Sequence, residues 1–311
     1  MFWKRKPKRQ DGQEATDSAV GAAADKEEAV TEQDGGESAE KPETEEVTAG
    51  TGAGTSADDG DAADDTDDGP QAEKDEKESS EAEEEAEAGD VFADEGEEVG
   101  VTGPDGDGIT RVRTAGVFEF EGEKSDVVSN TWIVKADDEG VVVIDPAHDA
   151  EAILEAVGDR EVYLVACTNA YGPHIESAIK VAEEFEAPIA LHPREMRAWR
   201  RHHGAERRPE IEVEGQGALD IGDLHIDVLA LPGTSTGTVG YYISELGVVF
   251  SGDTLRKGEP GMVGNTYVDY TTQLASIGEA LLSLPPDTRI LPDRGPSTTS
   301  GAESKNFDSW V

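Results

Sequence analysis

Short apolar segments and amphipathic segments alternate along the chain from about residue 109 to the C-terminus. Period-two alternation and short apolar runs predict strands over 116–121, 130–136, 140–145, 161–167, 188–191, 224–231, 239–244, 247–251 and 288–292. Apolar residues spaced three and four apart predict helices over 149–157, 173–186, 193–202 and 271–283. Two groups of strands with helices between them indicate a layered α/β sandwich around one core.

Two of these helices begin at residues that favour a helix start. Asp149 is a candidate N-cap, and Gly158 follows the last apolar position of the same helix. Pro173 suits the first turn of the next helix, where a missing backbone N–H costs nothing.

The first 108 residues have a different composition. They contain 36 acidic and 9 basic residues, a net charge of −27, with no Ile or Leu and only Phe2, Trp3 and Phe92 as aromatics. Such a segment buries too little apolar surface to offset its chain entropy. We predict a disordered, acidic, low-complexity region over 1–108 and a folded domain over 109–311.

The first ten residues, MFWKRKPKRQ, reverse the sign of the charge locally. No apolar run of signal-peptide length follows them, and no later apolar run is long enough to span a membrane. Two interpretations of residues 1–10 stay open: a weak contact with a membrane surface or a protein, and a solvated basic end. We expect a cytoplasmic protein.

Charge and cysteine content exclude several classes. The 311 residues carry 70 acidic and 26 basic side chains, a formal charge of −44, so we expect no general nucleic-acid binding. The single cysteine, Cys167, rules out an internal disulfide and any paired-cysteine zinc or redox motif. At the end of an apolar strand, Cys167 is expected to pack as a small hydrophobic residue.

Five ordered segments of the folded part resemble the metallo-β-lactamase fold superfamily, and particularly its glyoxalase II-like hydrolase branch. They are SNTWIVK with GVVVIDPAHDAEAI, the segment VYLVACTNAYGPHIESAIK, the segment IGDLHIDVLALPGTSTGTVGYYI, the strand GVVFSGDTL and the strand TRILPDRGPSTT. The resemblance implies a four-layer αβ/βα sandwich. It also implies a cleft in which active members bind two zinc ions through a T-H-x-H-x-D-H loop, a later histidine, a bridging aspartate and a last histidine.

This chain keeps two of those seven ligands, His174 in the loop TNAYGPH and Asp253 in SGDTL. The former ligand positions hold Asn169, Tyr171, Pro173, Thr234 and Arg294. A catalytic zinc ion normally has three protein ligands and one open position, and amide, phenol and hydroxyl groups are poor zinc donors. The fixed positive charge of a guanidinium repels a nearby dication. We therefore expect no cofactor, with zinc or another divalent metal on His174 and Asp253 as the remaining alternative.

The same substitutions suggest a ligand pocket in place of the metals. We expect Arg294 to pair with Asp253, because a buried unpaired carboxylate is costly. The predicted pocket consists of His148, His174, Thr234, Asp253 and Arg294, and it suits a small anionic ligand. The alternative is a structural hydrogen-bond network that fills the former site.

Three functions remain open at this point. The favoured one is a metallo-β-lactamase-fold protein that has lost dinuclear zinc hydrolysis and binds a protein or a small anionic ligand. The second is a hydrolase of the thioester or glyoxalase II-like kind, with one metal on His174 and Asp253 supplemented by His148 or Tyr171. The third is a structural role carried by the acidic region and the basic N-terminus. No catalytic residue is assigned, and whether the protein is an enzyme is left undecided.

Overall fold

The computed structural model describes residues 90–205 and 207–311. The sequence predictions for residues 1–89, including those for residues 1–10, lie outside the described residues. Ordered structure begins before residue 109, where the sequence analysis places the domain boundary. Phe92 is fully buried, with its ring edge-on to Trp132 and the ring centroids 5.2 Å apart. Asp94 accepts hydrogen bonds from Arg111 and Arg113, so residues 90–108 contribute both apolar and ionic contacts to the domain.

The first sheet has seven strands in sequence order. They are β1 (Gly100–Thr102), β2 (Ile109–Phe120), β3 (Glu123–Lys135), β4 (Gly140–Ile144), β5 (Glu161–Ala166), β6 (Ile189–Leu191) and β7 (Ile211–Glu212). Strands β1 to β4 pair antiparallel, whereas β4 to β7 pair parallel. The long β2–β3 hairpin extends along one side of the candidate site.

The second sheet has the order β15-β14-β11-β10-β9-β8. Its strands are β8 (Ala218–Ile221), β9 (Leu224–Ala230), β10 (Val239–Ile243), β11 (Val248–Gly252), β14 (Arg289–Pro292) and β15 (Thr298–Thr299). Strands β12 (Leu255–Arg256) and β13 (Glu259–Pro260) form a separate short ribbon. The parallel pairing of β11 with β14 brings the loops after these two strands to the same edge of the sheet.

The helices are α1 (Ala150–Val157), α2 (Gly172–Ile175), α3 (Ala178–Glu184), α4 (Met196–His203), α5 (Tyr270–Ser276) and α6 (Ser300–Ser304). A π-helical turn over Ile277–Leu281 continues α5, and 3₁₀ turns cover Pro193–Glu195, Ser244–Leu246 and Phe307–Ser309. The predicted cap Asp149 is confirmed, since its carboxylate accepts the backbone N–H groups of Glu151 and Ala152. The predicted helix 173–186 is two helices, because the backbone N–H of Ser177 donates to the carbonyl of Pro146 at 3.1 Å instead of continuing the helix.

Three apolar layers hold the sheets and helices together. Trp132, Tyr241 and Phe250 belong to the layer between the two sheets. Ile153 of α1 and Trp199 of α4 pack on the outer face of the first sheet. A third cluster, made mainly by the second sheet and the π-helical turn after α5, covers that sheet. The predicted αβ/βα sandwich is confirmed, and no helix of the described residues is long and apolar enough to cross a membrane.

Candidate functional site

The candidate site lies where strands of both sheets end. Asp145 follows β4, Asn169 follows β5 and Thr234 lies between β9 and β10, while Asp253 follows β11 and Arg294 follows β14. Carboxyl ends of neighbouring strands meet at one edge of a sheet, so these side chains converge although up to 149 positions separate them.

Asp253 is the centre of a buried hydrogen-bond network. Asn169 donates from Nδ2 to Oδ1 of Asp253 at 3.0 Å, and Thr234 donates from Oγ1 to the same oxygen at 2.7 Å. All three residues are at least 97% buried. Two residues at former metal-ligand positions therefore donate hydrogen bonds to the retained aspartate. This arrangement resembles the structural hydrogen-bond network that the sequence analysis gave as the alternative to a ligand pocket.

His174 lies between two aspartates. Its Nδ1 is 2.8 Å from Oδ2 of Asp145, and its Nε2 is 3.7 Å from Oδ2 of Asp253. Burial lowers the pKa of His174, but the attraction of Asp145, followed by that of Asp253, outweighs burial and raises the pKa to about 10. The imidazole is therefore protonated at neutral pH and supplies the positive charge beside Asp253.

Asp145 is held in an unusual backbone conformation. Its φ of 51° lies in the left-handed region, which is uncommon for a residue with a side chain. Its carboxylate accepts the backbone N–H and the hydroxyl of Thr168, both at 2.7 Å, and its carbonyl accepts the hydroxyl of Thr131 at 2.9 Å. These bonds fix the carboxylate that orients His174, a role that the sequence analysis did not assign to Asp145.

Tyr171 closes the loop over this network. Its hydroxyl donates to the carbonyl of Thr234 at 2.7 Å, and its ring lies edge-on to Phe118 and Phe120. Burial raises the pKa of the Tyr171 phenol, so the group stays neutral and acts as a donor. The neighbouring Pro173 lies in the first turn of α2, as predicted, and offers no side-chain donor.

The predicted pairing of Arg294 with Asp253 is wrong. The nearest carboxylate to Arg294 is its neighbour Asp293, with 3.2 Å between Nε and Oδ2. Asp293 is already bound by Arg256, which donates to both of its carboxylate oxygens at 2.9 Å. The guanidinium carbon of Arg294 also lies 5.6 Å from the ring centroid of Phe118, on the β2–β3 hairpin.

His148 is separate from the rest of the predicted pocket. Its Nδ1 lies 2.6 Å from Oε2 of Glu176, and its Nε2 lies 3.1 Å from the hydroxyl of Ser129. The structure thus brings His174, Thr234 and Asp253 together, places Arg294 beside them, and bonds His148 to residues outside this group. Cys167 is fully buried, and burial raises the pKa of its thiol, in agreement with a packing role.

Two buried ionic groups at the site were missed from the sequence. Glu195 accepts the hydroxyl of Ser235 at 2.6 Å and the backbone N–H of Gly237 at 2.9 Å, and so ties the turn before α4 to the Thr234 loop. Asp293 with Arg256 is the other group. Neither had a sequence signal beyond being a polar residue beside an apolar segment.

Named proteins that are similar to this chain include metallo-hydrolases. The probable metallo-hydrolase YqgX of Bacillus subtilis is 31% identical over 185 residues, covering 55% of this chain and 87% of that protein. Hydroxyacylglutathione hydrolase GloC of Haemophilus influenzae is 25% identical, covering 57% of this chain and 90% of GloC. The crystal structure of the BLEG-1 B3 metallo-β-lactamase is 26% identical, with a TM-score of 0.54, and covers 64% of this chain and all of that one.

These comparisons contradict the expectation of no cofactor. Two of these three proteins, YqgX and the BLEG-1 enzyme, are metallo-enzymes by name. Metal is therefore the cofactor that this kinship points to, and the no-cofactor prediction does not stand.

The side chains present do not fit the two-metal centre of the resemblance. Within residues 90–205 and 207–311, no group of three or more His, Cys, Asp and Glu side chains is placed to hold a metal ion. The oxygen of Asp253 that Asn169 and Thr234 bond is engaged, and Arg294 adds a positive charge nearby. The kinship and the donor set thus disagree, and no catalytic step through a metal follows from this site.

The region of kinship covers most of the described domain. The family model of the metallo-beta-lactamase superfamily matches residues 125–292, more than half of the chain. The matched segment contains Asp145, Asn169, His174, Thr234 and Asp253. The chain belongs to the metallo-β-lactamase superfamily.

Proposed function

We propose that this chain is a metallo-β-lactamase-fold protein that has lost dinuclear metal hydrolysis and acts as a binding module. The observation that carries the proposal is the engagement of Asp253 by side chains of the protein. One of its oxygens accepts from both Asn169 and Thr234, and the other faces the protonated His174. An aspartate engaged in this way is not free to bridge two metal ions.

Charge supports the same conclusion. A dication at Asp253 would lie near the guanidinium of Arg294, whose positive charge Asp293 and Asp253 attract. A guanidinium stays protonated in proteins, so its repulsion of a metal ion cannot be relieved by deprotonation. The fixed charge of Arg294 therefore disfavours the binding of metal ions at this site, and of a second ion most of all.

The second candidate is a hydrolase with a reduced metal site, and it is favoured by the similarity to YqgX and GloC. This candidate needs His148 or Tyr171 as an additional ligand. His148 is bonded to Glu176 and Ser129, and the Tyr171 hydroxyl donates to the carbonyl of Thr234. Both groups would have to leave these partners, which weighs against this candidate.

A thioester-hydrolysis assay separates the two candidates. The full chain, purified without an affinity tag, is assayed with and without added zinc, iron or manganese, with the hydroxyacylglutathione hydrolase GloC as the positive control. We expect no hydrolysis above the uncatalysed rate under any of these conditions. Metal-stimulated hydrolysis would establish the hydrolase instead, provided that Asp253→Asn abolishes it. The control variant Asp220→Asn, at an exposed position, should then keep the activity.

A further inference from the structure

An open cavity of about 530 Å³ lies beside the former metal site, between the β2–β3 hairpin and the loop that carries Arg294. Its apolar wall includes Val117, Val127 and Val128, and Val117 is 56% exposed. Cavities that hold small organic molecules have volumes of roughly 300–1,000 Å³ and combine apolar walls with a few polar groups. Size and lining therefore suit a small ligand with an aliphatic body.

Arg294 is the cationic group of this cavity. Its side chain is 21% exposed, and apart from the contact of its Nε with Asp293 at 3.2 Å it forms no ion pair or hydrogen bond with the residues that the structure describes. Its neighbour Asp293 is shared with Arg256, which takes both carboxylate oxygens. A guanidinium has five N–H donors in a planar fork that matches a carboxylate, so an incoming carboxylate would satisfy donors that the protein leaves open.

The loop that carries Arg294 is fixed before any ligand arrives. Asn130 donates from Nδ2 to the carbonyls of Pro292 and Gly295, both at 3.0 Å, and Trp132 donates from Nε1 to the carbonyl of Pro292 at 3.1 Å. The ring of Phe118 supports the guanidinium from one side. Because the arginine is positioned before the ligand arrives, the entropic cost of binding is lower.

Two carboxylates, Glu97 and Asp126, line the same cavity. Both side chains are exposed, and neither forms an ion pair or a hydrogen bond within the described part of the chain. They repel a ligand with several negative charges and attract a cationic group on a ligand whose carboxylate is bound at Arg294. One cation and two anions around an apolar wall thus complement a ligand that carries both a carboxylate and an ammonium group.

We propose that this cavity binds a small aliphatic zwitterion, such as a free amino acid, with the ligand carboxylate on Arg294 and its ammonium group toward Glu97 and Asp126. The proposal rests on the proposed function, because it assigns the ligand of a binding module. The residues of the Asp253 network take no part in it.

Isothermal titration calorimetry of the full chain with L-leucine and two leucine fragments tests the proposal. 4-Methylpentanoate lacks the amine of leucine, and 3-methylbutylamine lacks its carboxylate. We expect leucine to bind, 4-methylpentanoate to bind more weakly, and the amine and the dianion succinate to give no measurable heat. No binding of leucine, or tighter binding of succinate, would overturn the proposal.

Variants assign the binding to the named groups. Arg294→Gln should weaken leucine binding roughly ten- to a hundredfold, because a charge-assisted pair is lost, whereas the exposed Arg197→Gln should leave it unchanged. Glu97→Gln with Asp126→Asn should remove the preference for leucine over 4-methylpentanoate. Binding that survives Arg294→Gln would overturn the proposal, and thermal unfolding of each variant shows that the fold is retained.

The metal content of the same samples distinguishes a failure of the ligand assignment from a failure of the proposed function. Absent leucine binding with fewer than two metal ions per chain overturns the ligand assignment alone. A dominant species with two ions per chain overturns the proposed function, whether or not leucine binds.

Discussion

The hydroxyl of Thr234 donates to Oδ1 of Asp253 over 2.7 Å, inside the part of the fold where the resemblance places a metal ion between a histidine and an aspartate. Asn169 bonds the same oxygen from the opposite loop. A hydroxyl and an amide thus satisfy the carboxylate by hydrogen bonds instead of by coordination. The substitutions at these two positions are complementary, since both supply donors to one acceptor.

Thr234→Val should destabilise the domain by about 1–3 kcal/mol. The change keeps the shape of the side chain but removes a donor and leaves a buried carboxylate oxygen less satisfied. Urea unfolding at pH 7 measures the difference, and Thr236→Val in the same loop, whose side chain is exposed, is the matched control and should change stability by less than about 0.5 kcal/mol. Equal effects of the two variants would show that the Thr234 hydroxyl is not needed by Asp253.

Stability should fall as pH rises above neutrality, because of His174. Its pKa is about 10 in the folded protein, above the value of about 6.5 for an exposed histidine. The folded state thus holds the proton more tightly than the unfolded chain does. The stabilisation is complete below about pH 6.5 and is lost as pH rises through about 10, with a slope of up to about 1.4 kcal/mol per pH unit.

Urea unfolding of the native chain and of His174→Gln between pH 6 and 10 checks this slope. The native free energy of unfolding should decrease across the range, whereas the variant should lack the part of the decrease that His174 causes. Parallel curves for the two proteins would mean that His174 is not protonated between its two aspartates.

Phe92→Ala should destabilise the domain by about 3–5 kcal/mol, because it removes a fully buried ring that packs on Trp132. Val91→Ala is the matched control, since Val91 is 48% exposed, and it should have little effect. Thermal or urea unfolding compares them. If Phe92→Ala is as mild as its control, the segment before residue 109 is not part of the stable core.

The triple change Asn169→His, Tyr171→His and Thr234→His should create zinc affinity. Three histidines at these positions provide the ligand number of a catalytic zinc site, and the change at Thr234 also releases Asp253. Competition with a chromogenic chelator should show binding at least about tenfold tighter than that of the native chain. Asn265→His on an exposed loop controls for adventitious binding, and a folded triple variant without any gain would mean that the site cannot reopen.

The strands and layers were predictable because alternation along the chain reports which face of a strand is buried. The buried Arg111 and Arg113 show the limit of that signal: their partner Asp94 lies in a segment whose composition alone predicts disorder. The break between α2 and α3 could not be predicted from the sequence for a similar reason. It depends on the bond from Ser177 to Pro146, a contact across the fold that periodicity does not report.

The identities of the site residues were predictable, but their partners were not. The sequence showed that Asn169, Thr234 and Arg294 replace metal ligands, and this indicated that Asp253 needs a new partner. It assigned that role to Arg294, whereas the positive φ of Asp145 directs its carboxylate to His174 and makes the histidine the cation beside Asp253. Asp293, the neighbour of Arg294, is the closer carboxylate for that arginine.

The most direct test of the central claim is the number of metal ions that one chain retains. Tag-free protein is incubated with excess zinc, exchanged into volatile buffer and examined by native mass spectrometry, with YqgX treated in the same way. The hydrogen-bonded Asp253 predicts fewer than two retained ions per chain. A dominant species with two zinc ions would contradict the account.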